Sequence, residues 1–221
     1  SKQGYVLLGA EALNHPQRSL LHWLARCIGS LINAPCGELT EGANVAGAWQ
    51  AGLLPHRGAA GAEIETPGLD AQKMFETPLK SYLLTGIDPA LDCANPQRVL
   101  ASLKQSEFVV AISPFKSSHL MEVADVILPA ATFAETSGTF VNGEGRWQSF
   151  SGSVPPLFEA RPVWKILRVL GNFFNLEGFD YESSEEVRDE LQSLTVQKSI
   201  RDVATQISDP FCCTEKLSRF P

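Results

Sequence analysis

Three short segments place glycine, acid, hydroxyl or cation where the chain turns from an apolar run into a helical pattern. They are Gly9-Ala10-Glu11, Gly86-Ile87-Asp88-Pro89-Ala90 and Ser113-Pro114-Phe115-Lys116-Ser117. Glycine and small hydroxyls let a backbone approach a phosphate closely, and a helix N-terminus favours its charge. A fourth loop follows Val126-Ile127-Leu128, which stops at Pro129, and carries Glu135, Thr136, Ser137 and Thr139. Loops at the carboxyl ends of parallel strands are where open α/β proteins hold ligands. The chemistry on offer is therefore phosphate or nucleotide binding. None of the loops forms GxGxxG or GxxxxGK(S/T), and short α/β connections use Gly, Pro, Ser and Thr whatever their function. Both readings stand on the residues alone.

Other chemistries find less support. The histidines are scattered at 15, 22, 56 and 119, and the cysteines at 27, 36, 93, 212 and 213 form no CxxC pair, so neither a metal site nor a disulfide framework is expected. No GxSxG elbow is present. Glu144 and Arg146 flank Gly145 closely enough for a loop-fixing ion pair, and Trp147 and Trp164 read as packing anchors.

The elements that must position these loops follow from periodicity. Tyr5–Leu8 reads as a strand, and residues 19–32 place Leu20, Trp23, Leu24, Cys27, Ile28 and Leu31 on one helical face. A partly helical stretch at 43–52 and a long loop at 56–68 follow, then a short helix at 70–75 capped by Asp70. Strands are expected at 79–86, 107–114 and 125–129. Helices belong between them, from Pro96 with Asn95 as cap and over 116–124. All three βα turns should then open at one edge of a parallel sheet. Residues 138–150 read as two strands around Asn142-Gly143, and 161–174 as an amphipathic helix. Further helices are expected near 183–194 and 196–207. The fold class is α/β, Rossmann-like, with a mostly parallel sheet and helices on both faces, a small β-turn segment and a helical C-terminal tail. The domain division expected is 1–175 for the α/β domain and 176–221 for the acidic tail.

The net charge of −7 argues against nucleic acid as a partner. No apolar run approaches the roughly 18–20 residues that span a bilayer, so no membrane insertion is expected. The cysteine usage fits a reducing compartment. The abrupt start at a strand suggests a piece of a longer protein.

The ordered segments LKSYLLTGIDPALDC, EFVVAISPFKSSHLMEVADVILPAATFAETSGTFVNGEGRWQSF and EARPVWKILRVLGNFF resemble the molybdopterin-oxidoreductase superfamily. They look most like its complex I branch, the large iron–sulfur subunits of bacterial NADH–quinone oxidoreductases; ELTEGANVAGAWQAGLLPHRG is similar to the same branch. The resemblance implies a cytoplasmic, non-catalytic domain of a membrane-bound respiratory complex. Its partners would be the other subunits of the peripheral arm, and its iron–sulfur clusters would be carried by an upstream part of the subunit. In the molybdenum enzymes of the superfamily, the turn matching GIDPA is usually GxNP and helps hold a guanosine dinucleotide end. Here Asp88 replaces that Asn, which implies no cofactor in this chain and leaves Gly86, Asp88, Ser113, Lys116, Ser137, Gly138 and Thr139 as vestigial site residues. Phe115, Phe133 and Phe140 are candidates for contacts with neighbouring subunits. Two rivals remain: the nucleotide-end portion of an active enzyme such as a formate dehydrogenase or a nitrate reductase, and a free-standing nucleotide-binding module.

Overall fold

A computed structural model describes residues 4–197. In chain order the elements are β1 (Val6–Leu8), α1 (Ala10–Leu13), α2 (Arg18–Leu31), β2 (Cys36–Glu38) and α3 (Val45–Gln50). Then come α4 (Ala71–Glu76), β3 (Ser81–Thr85), α5 (Pro96–Lys104), β4 (Phe108–Ser113), α6 (Ser118–Val123) and β5 (Val126–Pro129). The last elements are β6 (Gly138–Val141), β7 (Trp147–Phe150), α7 (Val163–Phe173) and α8 (Ser184–Gln197). The fold is α/β, with parallel sheets flanked by helices and a helical C-terminal region. The helix expected over 196–207 and the Cys212-Cys213 pair lie outside the described residues, apart from the last turn of α8.

The described residues divide into two compact units, one of residues 4–49 with 138–151 and the other of 50–137 with 152–197. In the first unit, β1 pairs in parallel with β2, Val6 opposite Cys36 and Leu8 opposite Glu38. Sequence reading missed β2, and the reason is physical: Cys-Gly-Glu after Pro35 has no β-former, and the strand exists through its partner alone. The Gly9 turn therefore belongs to this separate sheet, which corrects the expectation that it shares an edge with the other two turns. The hairpin β6–β7 is antiparallel, with Val141 opposite Trp147. Its turn is held by Asn142, whose Oδ1 accepts from Glu144 N at 3.0 Å and Arg146 N at 2.9 Å. The left-handed residue is Gly145, at φ +80°, not Gly143. Among the described residues no ion pair joins Glu144 to Arg146.

In the second unit the parallel sheet runs in the order β3-β4-β5, with Leu83 opposite Val110 and Val110 opposite Val126. Register partners in a parallel pair share a face. Tyr82 and Val109 therefore lie on one face with Leu84, Ala111 and Ile127, against which α5 lays Val99 and Leu103 and α6 lays Leu120 and Val123. These side chains form the core. The caps agree with the sequence reading: Asp70 Oδ1 accepts from Lys73 N at 2.8 Å, and Asn95 Oδ1 from Arg98 N at 3.1 Å ahead of Pro96. The buried Tyr82 hydroxyl is fully used: it accepts from Leu79 N at 2.9 Å, donates to Met74 O at 2.8 Å and lies 3.0 Å from Ser102 Oγ.

Candidate functional site

Parallel pairing brings the ends of β3, β4 and β5 to one edge, so their loops are neighbours. Gly86 leaves β3 at φ +67° while its N–H donates to Ile112 O at 2.9 Å, a conformation that glycine adopts without strain. The chain then turns on two carboxylates. Asp92 Oδ2 accepts from Asp88 N at 2.6 Å, Asp88 Oδ1 accepts from Ala90 N at 2.9 Å, and the Asp88 carbonyl accepts from Leu91 N and Asp92 N. From the first turn of α6, His119 Nδ1 approaches Asp88 Oδ1 to 3.4 Å.

The second turn is closed by hydroxyls. Ser113 Oγ accepts from Phe115 N at 3.1 Å and donates to Phe115 O at 2.9 Å. Ser117 Oγ caps α6 by accepting from Leu120 N at 3.1 Å. Lys116 is exposed. The loop after β5 is anchored by Ala130 N to Ser113 O at 3.0 Å. Glu135, buried at 9% exposure, forms a capping box with Thr132: its Oε2 accepts from Thr132 N at 2.8 Å and Thr132 Oγ1 at 3.0 Å. Its Oε1 accepts from Leu157 N at 3.2 Å.

Of the candidate residues, Gly86, Asp88, Ser113 and Lys116 are thus brought together at one sheet edge. Ser137 instead places its Oγ 2.8 Å from Ser184 Oγ. Gly138 and Thr139 open β6 in the first unit, where Thr139 Oγ1 lies 2.9 Å from Ser149 Oγ and a side chain at Gly138 would strike the Phe150 ring. Asp92 and His119 belong to the cluster but escaped the sequence reading. Their signals were the i, i+4 spacing of Asp88 and Asp92 and the position of His119 two residues past the cap of α6.

Electrostatics favours an ionised Asp88. Burial alone would raise its pKa, but the Ser117 hydroxyl, the Ala90 N–H and the His119 imidazole outweigh burial and hold it below the usual carboxylate range. Glu135 is also held low, first by the Thr132 N–H against the opposing effect of burial, then by the Thr132 hydroxyl and the Leu157 N–H. Burial, with Asp92 and Asp88 nearby, pushes the Cys93 thiol up. Both carboxylates bind protons less tightly folded than unfolded. Their stabilisation is complete above the unfolded carboxylate pKa and disappears as pH falls through the lowered values. Urea midpoints recorded from about pH 7 to about pH 3 should therefore fall with acidification, and less steeply for Asp88→Asn. Equal slopes for the two proteins would contradict this assignment.

A diphosphate at this edge would meet amides that are already engaged. The amides of Asp88, Ala90, Phe115 and Leu120 already donate to the chain's own side chains. A phosphate about 4 Å from Asp88 would also meet repulsion of about 4 kcal/mol at the effective dielectric of a partly shielded pair. Among the described residues no group of three or more His, Cys, Asp or Glu side chains could hold a metal ion, and no helix is long and apolar enough to cross a membrane. The three candidate contact phenylalanines are 70% (Phe115), 89% (Phe133) and 44% (Phe140) exposed.

Residues 1–173 match the family model described as molybdopterin oxidoreductase. An NADH-quinone oxidoreductase subunit from Mycobacterium bovis is 39% identical over 116 residues, which is 52% of this chain and 14% of that protein. A formate dehydrogenase homologue from Bacillus subtilis is 34% identical over 142 residues, 62% of this chain and 14% of the relative. The assimilatory nitrate reductase catalytic subunit of the same organism is 32% identical over 140 residues, 63% of this chain and 19% of the relative. The chain thus spans 14–19% of the length of these relatives.

Proposed function

The chain belongs to the molybdopterin oxidoreductase family, and on that premise we propose that it is a structural, non-catalytic domain of the large subunit of a respiratory NADH–quinone oxidoreductase. That complex passes electrons from NADH through iron–sulfur clusters to quinone. In this reading the clusters lie in another part of the subunit, and the domain sits on the cytoplasmic side in the peripheral arm and braces neighbouring subunits. The observation that carries the proposal is the self-closed sheet edge. Asp88 and Asp92 occupy amides that an incoming phosphate would need, which supports a structural corner over a phosphate site. The identity to the mycobacterial NADH-quinone oxidoreductase subunit supports the same choice.

A second reading takes the edge as the nucleotide-end site of an active oxidoreductase such as a formate dehydrogenase or a nitrate reductase. One observation favours it: Asp88 Oδ2 is buried without a hydrogen-bond partner among the described residues, and such a carboxylate oxygen could accept from a guanine edge. The test separates the two. Protein purified from its own cells, with whatever chain accompanies it, is assayed for molybdenum and for extractable guanine nucleotide. The structural reading expects both well below stoichiometric amounts; one equivalent of either per chain supports the second reading and removes the first.

A further inference from the structure

The two outer edges of the β3-β4-β5 sheet are finished differently. Beyond β5 the chain closes the edge itself. Arg161 bridges in parallel to Ala130, with Ala131 N donating to Arg161 O at 2.8 Å and Arg161 N to Pro129 O at 3.1 Å. Pro129 also removes an amide from that edge. At β3, Lys80 O accepts from Glu107 N at 2.7 Å and Phe108 N at 3.2 Å, and Gly86 N donates to Ile112 O at 2.9 Å. Backbone groups alternate along a strand, so Lys80, Tyr82, Leu84 and Gly86 turn theirs toward β4. Those of Ser81, Leu83 and Thr85 point the other way, where β3 pairs with no strand among the described residues.

Soluble proteins blunt such an edge with charge, proline, a bulge or a cover, because its unpaired donors and acceptors template a further strand. Ser81-Tyr82-Leu83-Leu84-Thr85 carries neither charge nor proline. The second face of the sheet is open beside that edge. Leu83, in line with Val110 and Val126, is 51% exposed, Val126 is 39% exposed, and Phe108, opposite Ser81, is 46% exposed. Parallel sheets occur almost only with both faces covered.

We propose that β3 is an inner strand of a larger sheet in the intact protein. Its free edge accepts a β-strand from a part of the same polypeptide outside residues 1–221, and apolar side chains that arrive with that strand cover Leu83 and Phe108. The backbone selects this occupant. A row of peptide N–H and C=O groups at the strand repeat is matched by another strand, whereas a helix bonds its peptide groups internally. Chain length selects the source. The relatives are far longer than the stretch matched, which is 14–19% of each. A strand tied to the same chain also pairs at an effective concentration that a separate protein lacks. The inference does not depend on the respiratory reading.

The test uses the full-length protein purified from its own cells. Residue-resolved amide exchange in the wild type compares Leu83 and Thr85 with Tyr82 and Leu84. In a second arm, photoreactive benzoylphenylalanine replaces Phe108 or, as a control, Lys73, which is 65% exposed on α4 at the covered face. The expected exchange at Leu83 and Thr85 lies within about tenfold of that at Tyr82 and Leu84. Position 108 should give an adduct with a peptide of the same polypeptide outside residues 1–221, and position 73 should not. Exchange more than about tenfold faster at Leu83 and Thr85 overturns the proposal. So does an adduct from position 108 to a second copy, to another protein or within residues 1–221, the same adduct from both positions, or none from a folded variant. The exchange arm needs no substitution, so it decides the matter even where the Phe108 variant does not fold.

Discussion

Leu103→Ala is expected to lower the free energy of unfolding of the β3–β5 unit by about 3 kcal/mol, within the range of about 2–5 kcal/mol for such truncations. Leu103 is 1% exposed and sits one turn from Val99 on the face of α5 that covers Leu84, Val109 and Ala111. Truncation removes apolar burial and leaves a cavity in a layer only one helix thick, with little material to collapse into it. The consequence reaches the site, because α5 follows the Asp88–Asp92 turn directly. Urea unfolding followed by tryptophan fluorescence measures the loss. A change below about 1 kcal/mol, the scale of an ordinary surface substitution, would mean that α5 does not pack as described.

Glu135→Ala should be the most damaging removal of any carboxylate in the described residues. Three donors lose their acceptor, and the amides of Thr132 and Leu157 are left in a partly buried setting where an unmet hydrogen bond is costly. The expected signature is local before it is global: amide exchange at Leu157 and at neighbouring loop positions accelerates in Glu135→Ala, and the unfolding midpoint falls. The pH dependence gives a second arm. The native pKa of Glu135 is held low, so its contribution is present at neutral pH and lost as pH falls through that value. Wild type and variant should therefore converge in acid. Parallel stability curves over the whole range, with unchanged exchange at Leu157, would show that the capping box does not hold the two loops together.

What residue types alone reveal about this chain is local. Asp70, Asn95 and Pro96 announce helix starts through chemistry confined to one turn. The apolar run Phe108–Ser113 is a strand because a parallel sheet buries both of its faces to different extents along its length. Pairing between distant segments was hidden. Nothing in Cys36-Gly37-Glu38 says strand until Val6–Leu8 lies beside it, and for the same reason the Gly9 turn could not be assigned to its own two-stranded sheet. The role of Glu135 was partly legible: Thr132-Phe133-Ala134-Glu135 has the capping-box spacing. Its third bond, to Leu157 N, lies 22 residues away and could not be foreseen. At Asp88 the residue type shows an acid at a turn but not its partners: Asp92 folds back onto the Asp88 amide, a hydrogen bond that composition and periodicity do not encode.

The measurement that bears most directly on the respiratory assignment is the activity that accompanies this chain out of the cell. The chain is tagged in its own host, purified under conditions that preserve complexes, and assayed with an artificial electron acceptor against NADH, formate and nitrate chemistry in parallel. The expected result is NADH-dependent reduction of the acceptor, carried by co-purifying flavin and iron–sulfur proteins, with neither formate oxidation nor nitrate reduction. Formate- or nitrate-dependent turnover in the absence of NADH oxidation would contradict the assignment.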